Sequence, residues 1–186
     1  MKILQGTIFL VLLIGSTRTS AQFGKNVEKH QFKINLLFPG LEYEMGVGEN
    51  STLNFKAGLQ YGLDPNALDP FSQIDLFSAF TAQYRYYHNL ERRFRKNKMA
   101  YGNSGNYIAL ATTLFTQSPI KNTVETSPFG AIGPVYGWQR SISAGLSINT
   151  ELGAGYYLGN FSGGIYPTFT LTLGWIIGEK RWCVGK

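Results

Sequence analysis

Alternation of apolar and polar residues, renewed in segment after segment, restricts this chain more than any other feature. In residues 52–61, Leu53, Phe55, Ala57, Leu59 and Tyr61 share one side, and Thr52, Asn54, Lys56, Gly58 and Gln60 share the other. A period of two belongs to extended strands, whose successive side chains point to opposite faces. Residues 165–177 set Phe169, Leu171, Leu173, Trp175 and Ile177 against Thr168, Thr170, Thr172 and Gly174. Residues 142–157 do the same with Ile142, Ala144, Leu146, Ile148, Leu152 and Ala154 against Ser143, Gly145, Ser147, Asn149, Glu151, Gly153 and Gly155. That span exceeds the ~3–10 residues usual for strands of globular proteins. No segment carries a convincing helical period.

Gly, Pro and Asn punctuate the pattern into eight strands, at 31–38, 41–47, 52–61, 75–88, 106–116, 129–139, 142–157 and 165–177. The count depends on reading Pro39-Gly40 as a tight turn; read as a bulge, it leaves seven. Strand 106–116 is apolar on both faces, so its inward side is left open. An even number of antiparallel strands brings both ends to one side, as a closed bacterial barrel requires. The connections at 48–51 and 140–141 are then short inner turns, and 62–74, 117–128 and 158–164 are longer outer loops. The basic stretch 89–105 is an inner connection of unusual length, and its run Arg92-Arg93-Phe94-Arg95-Lys96-Asn97-Lys98 reads as a solvated turn.

The first residues have the layout of an export signal. Met1-Lys2 is a basic start, residues 8–14 an apolar run, and Thr19-Ser20-Ala21 a small-residue cleavage site before Gln22. The expected organisation is a cleaved signal peptide at 1–22 and one barrel domain at 23–186. No later segment has the ~20 consecutive apolar residues of a transmembrane helix, so a membrane-resident form must cross with strands.

Two tests bear on which face meets lipid. Tyr and Trp rings favour the headgroup level and form girdles at both edges of a barrel. Tyr84, Tyr86, Tyr87, Tyr107, Trp138 and Trp175 fall at periplasmic strand ends, and Tyr61, Phe115, Phe129, Tyr156, Tyr157 and Tyr166 at the opposite edge. The expected girdle is Tyr61, Tyr84, Tyr86, Tyr107, Trp138, Tyr156, Tyr166 and Trp175. The second test is charge, since Arg or Lys facing lipid at the midplane costs about 2–4 kcal/mol. The strand phases turn Lys33, Glu42, Glu44, Lys56, Arg85 and Glu151 inward, three basic and three acidic. An eight-stranded barrel is filled by its own side chains, so a balanced network that plugs the lumen is expected.

Together these features resemble the small outer-membrane β-barrels of the OmpA-like and OmpX-like size class. Gln83-Tyr84-Arg85-Tyr86-Tyr87 closing a strand, and Tyr136-Gly137-Trp138-Gln139 followed by Leu152-Gly153-Ala154-Gly155-Tyr156, carry the likeness across the mature chain. One departure is the segment 178–186, which runs on past Trp175, where such barrels end on an aromatic. The resemblance implies an all-β, eight-stranded, antiparallel up-and-down transmembrane barrel in the outer membrane. It implies roles ranging from envelope integrity to adhesion and carries over no catalytic residue; the expected partners are outer-membrane lipid and lipopolysaccharide, with an extracellular partner at the outer loops and the chain itself a monomer.

Chemistry is sparse. Cys183 is the only cysteine, and His30 and His88 are too few for a zinc site without carboxylates beside them. A hydrolytic set of His88 with Ser141 or Ser143 is conceivable at one strand end, but an interfacial His88 and a His30 in a solvated tail are the plainer readings. Gly102-Asn103-Ser104-Gly105 lacks the Lys and helix of a phosphate loop and reads as a turn. The net charge of +6 falls to about +4 once Lys2 and Arg18 leave with the signal, and much of it is concentrated in one run, not spread over a face as nucleic-acid binding requires. No cofactor, metal or catalytic residue is expected. The reading is a structural or surface-interaction barrel; a narrow channel, a lipid-modifying enzyme and a periplasmic lipocalin-like ligand binder are the alternatives.

Overall fold

The computed structural model describes residues 26–63, 74–96, 98, 101–116, 129–142, 145–158 and 164–177. Eight strands form one closed, antiparallel, up-and-down barrel in sequence order. They are β1 (His30–Asn35), β2 (Gly40–Gly46), β3 (Ser51–Leu63), β4 (Ile74–Tyr87), β5 (Asn106–Thr116), β6 (Phe129–Ser141), β7 (Leu146–Leu158) and β8 (Ile165–Ile177). Each strand pairs with its successor, and β1 pairs with β8 through Phe32–Ile177 to Asn35–Gly174. The chain therefore enters and leaves the barrel at the same end, called here the terminal end. The opposite end is the loop end.

Alternation dictates the faces. In β1 and β2, Gln31, Lys33, Asn35, Glu42 and Glu44 are buried, whereas Phe32, Ile34 and Leu41 are exposed. In β5 the inward row is Tyr107, Ala109, Ala111 and Thr113, and Ile108, Leu110 and Leu114 project outward. This settles the strand whose apolar faces the sequence left undecided. In this strand the small side chains go inward and the bulky aliphatic ones outward. Pro134 lies outward in the middle of β6, and the β6–β7 ladder is interrupted at Gly133 and Pro134, as expected for a residue with no N–H to donate.

Three regions depart most from expectation, and the other strand ends lie within two residues of it. β1 stops at Asn35, and the reversal occupies Leu36, Leu37, Phe38 and Pro39 ahead of Gly40. It is a turn, so the strand number is eight, but it is longer than Pro39-Gly40 alone. β6 continues to Ser141, and Ile142 N donates to Leu146 O and Gly145 N to Ile142 O where the chain passes to the next strand. Gly145 sits there at φ 100°, a conformation costly to side chains with a Cβ, so β7 begins at Leu146 and Ile142 lies outside it.

The third difference is the long inner connection. The expected solvated turn contains a helix, α1 (Leu90–Arg95), followed by a short 3-10 turn at Tyr101–Asn103. Leu90 is fully buried, while Arg92, Arg95 and Lys96 remain exposed. The connection is long because it folds back over the terminal mouth of the barrel.

Candidate functional site: a sealed lumen

The six charges that alternation turns inward come from five strands: Lys33 on β1, Glu42 and Glu44 on β2, Lys56 on β3, Arg85 on β4 and Glu151 on β7. All six are at most 6% exposed. Arg85 occupies the centre. Its Nη1 lies 3.4 Å from Glu42 Oε1 and 3.3 Å from Glu44 Oε2, and its Nη2 lies 3.1 Å from Glu151 Oε1. Lys33 bridges Glu42 at 3.1 Å and Glu44 at 3.4 Å, and Lys56 pairs with Glu151 at 2.8 Å. Three cations face three anions.

Buried ions persist only where geometry is good and the remaining lone pairs and protons are satisfied. Here neutral donors complete each carboxylate. Thr52 and Tyr87 hydroxyls donate to Glu44 Oε1 at 2.8 and 2.7 Å, and Asn54 Nδ2 donates to Glu42 Oε1 at 2.7 Å. Glu151 accepts from the Tyr107 hydroxyl at 2.6 Å, from Asn149 Nδ2 at 2.9 Å and from Gln83 Nε2 at 3.1 Å. Arg85 Nε donates to Gln83 Oε1 at 2.7 Å, and the guanidinium carbon stands 4.6 Å from the centre of the Tyr107 ring. This is a cross-linked plug, not a one-sign ring of the kind that selects ions.

Tyr107 therefore does not belong to an outward girdle, as expected of it, but to the lumen. Parity in β5 puts it on the row of Ala109 and Ala111. Opposite it in register is Gly137, where an added Cβ would fall inside the Tyr107 ring. The ring fits because β6 offers no side chain at that position. Tyr87 is likewise internal, 1% exposed and tilted against Tyr107 with ring centres 5.1 Å apart.

The terminal mouth is closed by the α1 connection. Leu90 packs with Tyr87, Tyr107, Ala109 and Val135. Gln139 Nε2 donates to Gly102 O at 2.7 Å, the Ser141 hydroxyl to the same carbonyl at 3.3 Å, and Ser141 N to Ser104 Oγ at 2.8 Å. Gly102 and Asn103 adopt positive φ of 62° and 56°. A Cβ on Gly102 would come within 2.6–2.8 Å of Ile176, Ser141 and Gln31. The expected turn at 102–105 is thus a tucked stopper. Burial, with the Glu28 carboxylate adding to it, raises the Tyr101 phenol above its ordinary pKa.

Towards the loop end, Phe77, Phe115, Phe129 and Tyr157 form an inward-facing cluster, with Phe115 and Phe129 stacked at 4.7 Å. The last three, expected at the outer edge of the wall, line the lumen instead.

No protein-family model, curated protein or solved structure matches this sequence. What the lumen does has to be read from its own geometry.

Of the expected girdle, Tyr84, Tyr86, Trp138, Tyr156 and Trp175 project outward, each between 41% and 51% exposed. Arg140 lies with its guanidinium 4.6 Å from the Trp138 ring and donates to Gly105 O and Asn106 Oδ1 at the terminal rim. The side chains of Tyr61 and Tyr166 lie outside the described set, as do the segments 1–22 and 178–186, Ser143 and most of the outer loops. His88 is exposed, 5.9 Å from the Tyr136 ring, whereas Ser141 is buried on the lumen side. The wall separates them, so they form no hydrolytic pair. His30, expected in a solvated tail, begins β1 and stacks on Tyr43, with Nδ1 2.8 Å from its hydroxyl.

Proposed function

We propose that this protein is an exported outer-membrane β-barrel with a structural or surface-interaction role, its lumen sealed and its outward loops available to partners. The observation that carries the reading is the inversion of its two faces. Lys33, Glu42, Glu44, Lys56, Arg85 and Glu151 are withdrawn from solvent, while Phe32, Ile34, Leu41, Phe80, Ile108, Leu110, Leu114, Leu152 and Phe169 stand on the outside, 39–58% exposed. Soluble monomers rarely expose contiguous apolar patches beyond a few hundred Å². A bilayer removes that difficulty, and Tyr84, Tyr86, Trp138 and Trp175 at the terminal end suit a headgroup-level belt.

The same inversion counts against a lipocalin-like binder, whose apolar row would surround the lumen. Paired ions, the stopper and the aromatic cluster count against a channel. The separation of His88 from Ser141 counts against pairing them in a hydrolytic set.

Envelope fractionation followed by gel electrophoresis with and without boiling tests the reading. The expected outcome is carbonate-resistant sedimentation with membranes and a band whose migration shifts on heating. Release by carbonate or salt overturns it.

A further inference from the structure

Acidic residues are missing from a long stretch of this chain. Between Glu91 and Glu151 the sequence holds one carboxylate, Glu125, in the connection from β5 to β6 at the loop end. At the terminal end the same stretch carries Arg92, Arg93, Arg95, Lys96, Lys98 and Arg140. The lumen balances its cations against its anions, so the positive excess of the described residues collects outside it, at this end. Glu91 meets Arg95 at 3.9 Å, between two exposed side chains, a contact that offsets little.

These cations border the outward side of the wall. Arg140 stands near the end of β6 with the parity of Tyr136 and Trp138, both of which project outward, 46% and 41% exposed. Its guanidinium lies 4.6 Å from the centre of the Trp138 ring and donates to Gly105 O at 3.0 Å, Gln139 O at 2.6 Å and Asn106 Oδ1 at 2.8 Å. Asn106 Nδ2 in turn donates to the Tyr136 hydroxyl at 2.9 Å. The acceptors of Arg140 among the described residues are all neutral, so its head is fixed in place without its charge being cancelled.

Helix α1 brings further cations to the same rim. At about 100° per residue, Leu90 and Phe94 form its packed stripe. Arg93, Lys96 and Arg92 follow one another round one flank, while Glu91 and Arg95 share the other. The Arg93 guanidinium bears on Arg140 as a neighbouring like charge, so the flank that lacks an acid is the one turned to the β6 rim.

The cluster lies at phosphate level. Asn106 and Ile108 are opposite Trp138 and Tyr136 in register, and Ile108 and Leu110 continue the outer face as an apolar row, each 54% exposed. Arg140 is two residues beyond Trp138, roughly 7 Å further along the strand. Belt aromatics sit at the headgroup boundary, which puts the next step, away from the apolar row, in the phosphate layer.

On the membrane reading above, we propose that Arg140, Arg93 and Lys96 form a binding site for the phosphodiester of an anionic phospholipid in the leaflet at the terminal end, its acyl chains lying along Tyr136, Ile108 and Leu110. Guanidinium groups suit phosphate oxygens because their N–H groups are held in a fixed fork. Each basic residue beside an anionic bilayer surface contributes about fivefold in binding. A lipid is favoured over an acidic protein because the cations run without a break into the apolar row, which a water-soluble partner would leave unused. Residues 178–186 do not complement the cluster in charge, since they carry Lys180, Arg181 and Lys186 against Glu179.

The test uses the full chain folded into phosphatidylcholine vesicles, with Trp175→Phe and Trp182→Phe leaving Trp138 as the sole tryptophan. A fixed mole fraction of lipid with brominated acyl chains is supplied either as phosphatidylglycerol or as phosphatidylcholine. A control chain has Phe at all three tryptophan positions and Tyr43→Trp on β2, across the barrel from β6. Heat-modifiable migration selects folded protein. Brominated phosphatidylglycerol should quench Trp138 more strongly than brominated phosphatidylcholine, and the Tyr43→Trp probe should be quenched equally by both. Arg140→Gln and, independently, Lys96→Gln on the exposed side of α1 should each lower the preference at Trp138 by about fivefold. Equal quenching of Trp138 by the two lipids, the result if the cations meet only water or an acidic protein, overturns the site. A preference that survives either substitution in folded protein, or that the Tyr43→Trp probe shares, overturns it as well. Quenching of neither probe by either lipid instead refutes the membrane reading itself.

Discussion

Arg85 is the residue on which the lumen turns, because it is shared by Glu42, Glu44 and Glu151. Removing one member of a buried ionic set leaves its partners uncompensated and costs about 3–5 kcal/mol. Arg85→Met should therefore lower the free energy of unfolding by that amount and move the urea midpoint down accordingly, read from the loss of the heat-modifiable band. Lys56→Met combined with Glu151→Gln should cost less than the sum of the two single changes. A quieter dependence lies at Gly137, which accommodates the Tyr107 ring. Gly137→Val is expected to destabilise by roughly 1–3 kcal/mol through overpacking, and Tyr107→Ala in the same chain should relieve much of that in a double-mutant cycle. The charged row was legible in the sequence because charges can be placed by phase alone. Tyr87 and Tyr107 were not placed correctly, because aromatic residues were sorted by strand end. Yet Tyr87 is adjacent to Tyr86 and cannot share its face, so strict parity would have found it, and the small residues Ala109 and Ala111 mark the inner row to which Tyr107 belongs.

Among the elements, the α1 connection is the one whose role periodicity could not announce. Six residues of helix are too few to display a period of 3.6, and a basic run reads as solvated from its composition. What fixes it is Leu90, fully buried against Tyr87 and Tyr107. Leu90→Ala should cost about 2–5 kcal/mol, as for other buried Leu truncations, in the same urea titration. An Arg92→Ala change on the exposed side of the helix should leave the midpoint in place. The β1–β2 hairpin was misjudged for a related reason. Alternation says where a strand can run but not where it stops, and a tip made of Leu36, Leu37 and Phe38 lacks the polar residues that ordinarily announce a turn.

For the whole molecule, balanced charge, a stopper at one mouth and an aromatic cluster towards the other describe a wall with a filled centre. Planar-bilayer recordings of the purified protein are expected to stay silent at all voltages, and steady unitary conductance would show that the centre opens. Eight strands, their order and the direction of their charged rows followed from the sequence; the register between neighbours did not, because it depends on pairing across the chain. One such pairing sets the order of events in assembly. The seam joins Phe32–Asn35 to Gly174–Ile177 by four residue pairs, so the first strand waits for the last. Until the final segment has been delivered, β1 and β7 both present raw borders that invite wrong partners. A chain cut short within β8 is therefore expected to stay an open ribbon, however well its first seven strands have zipped.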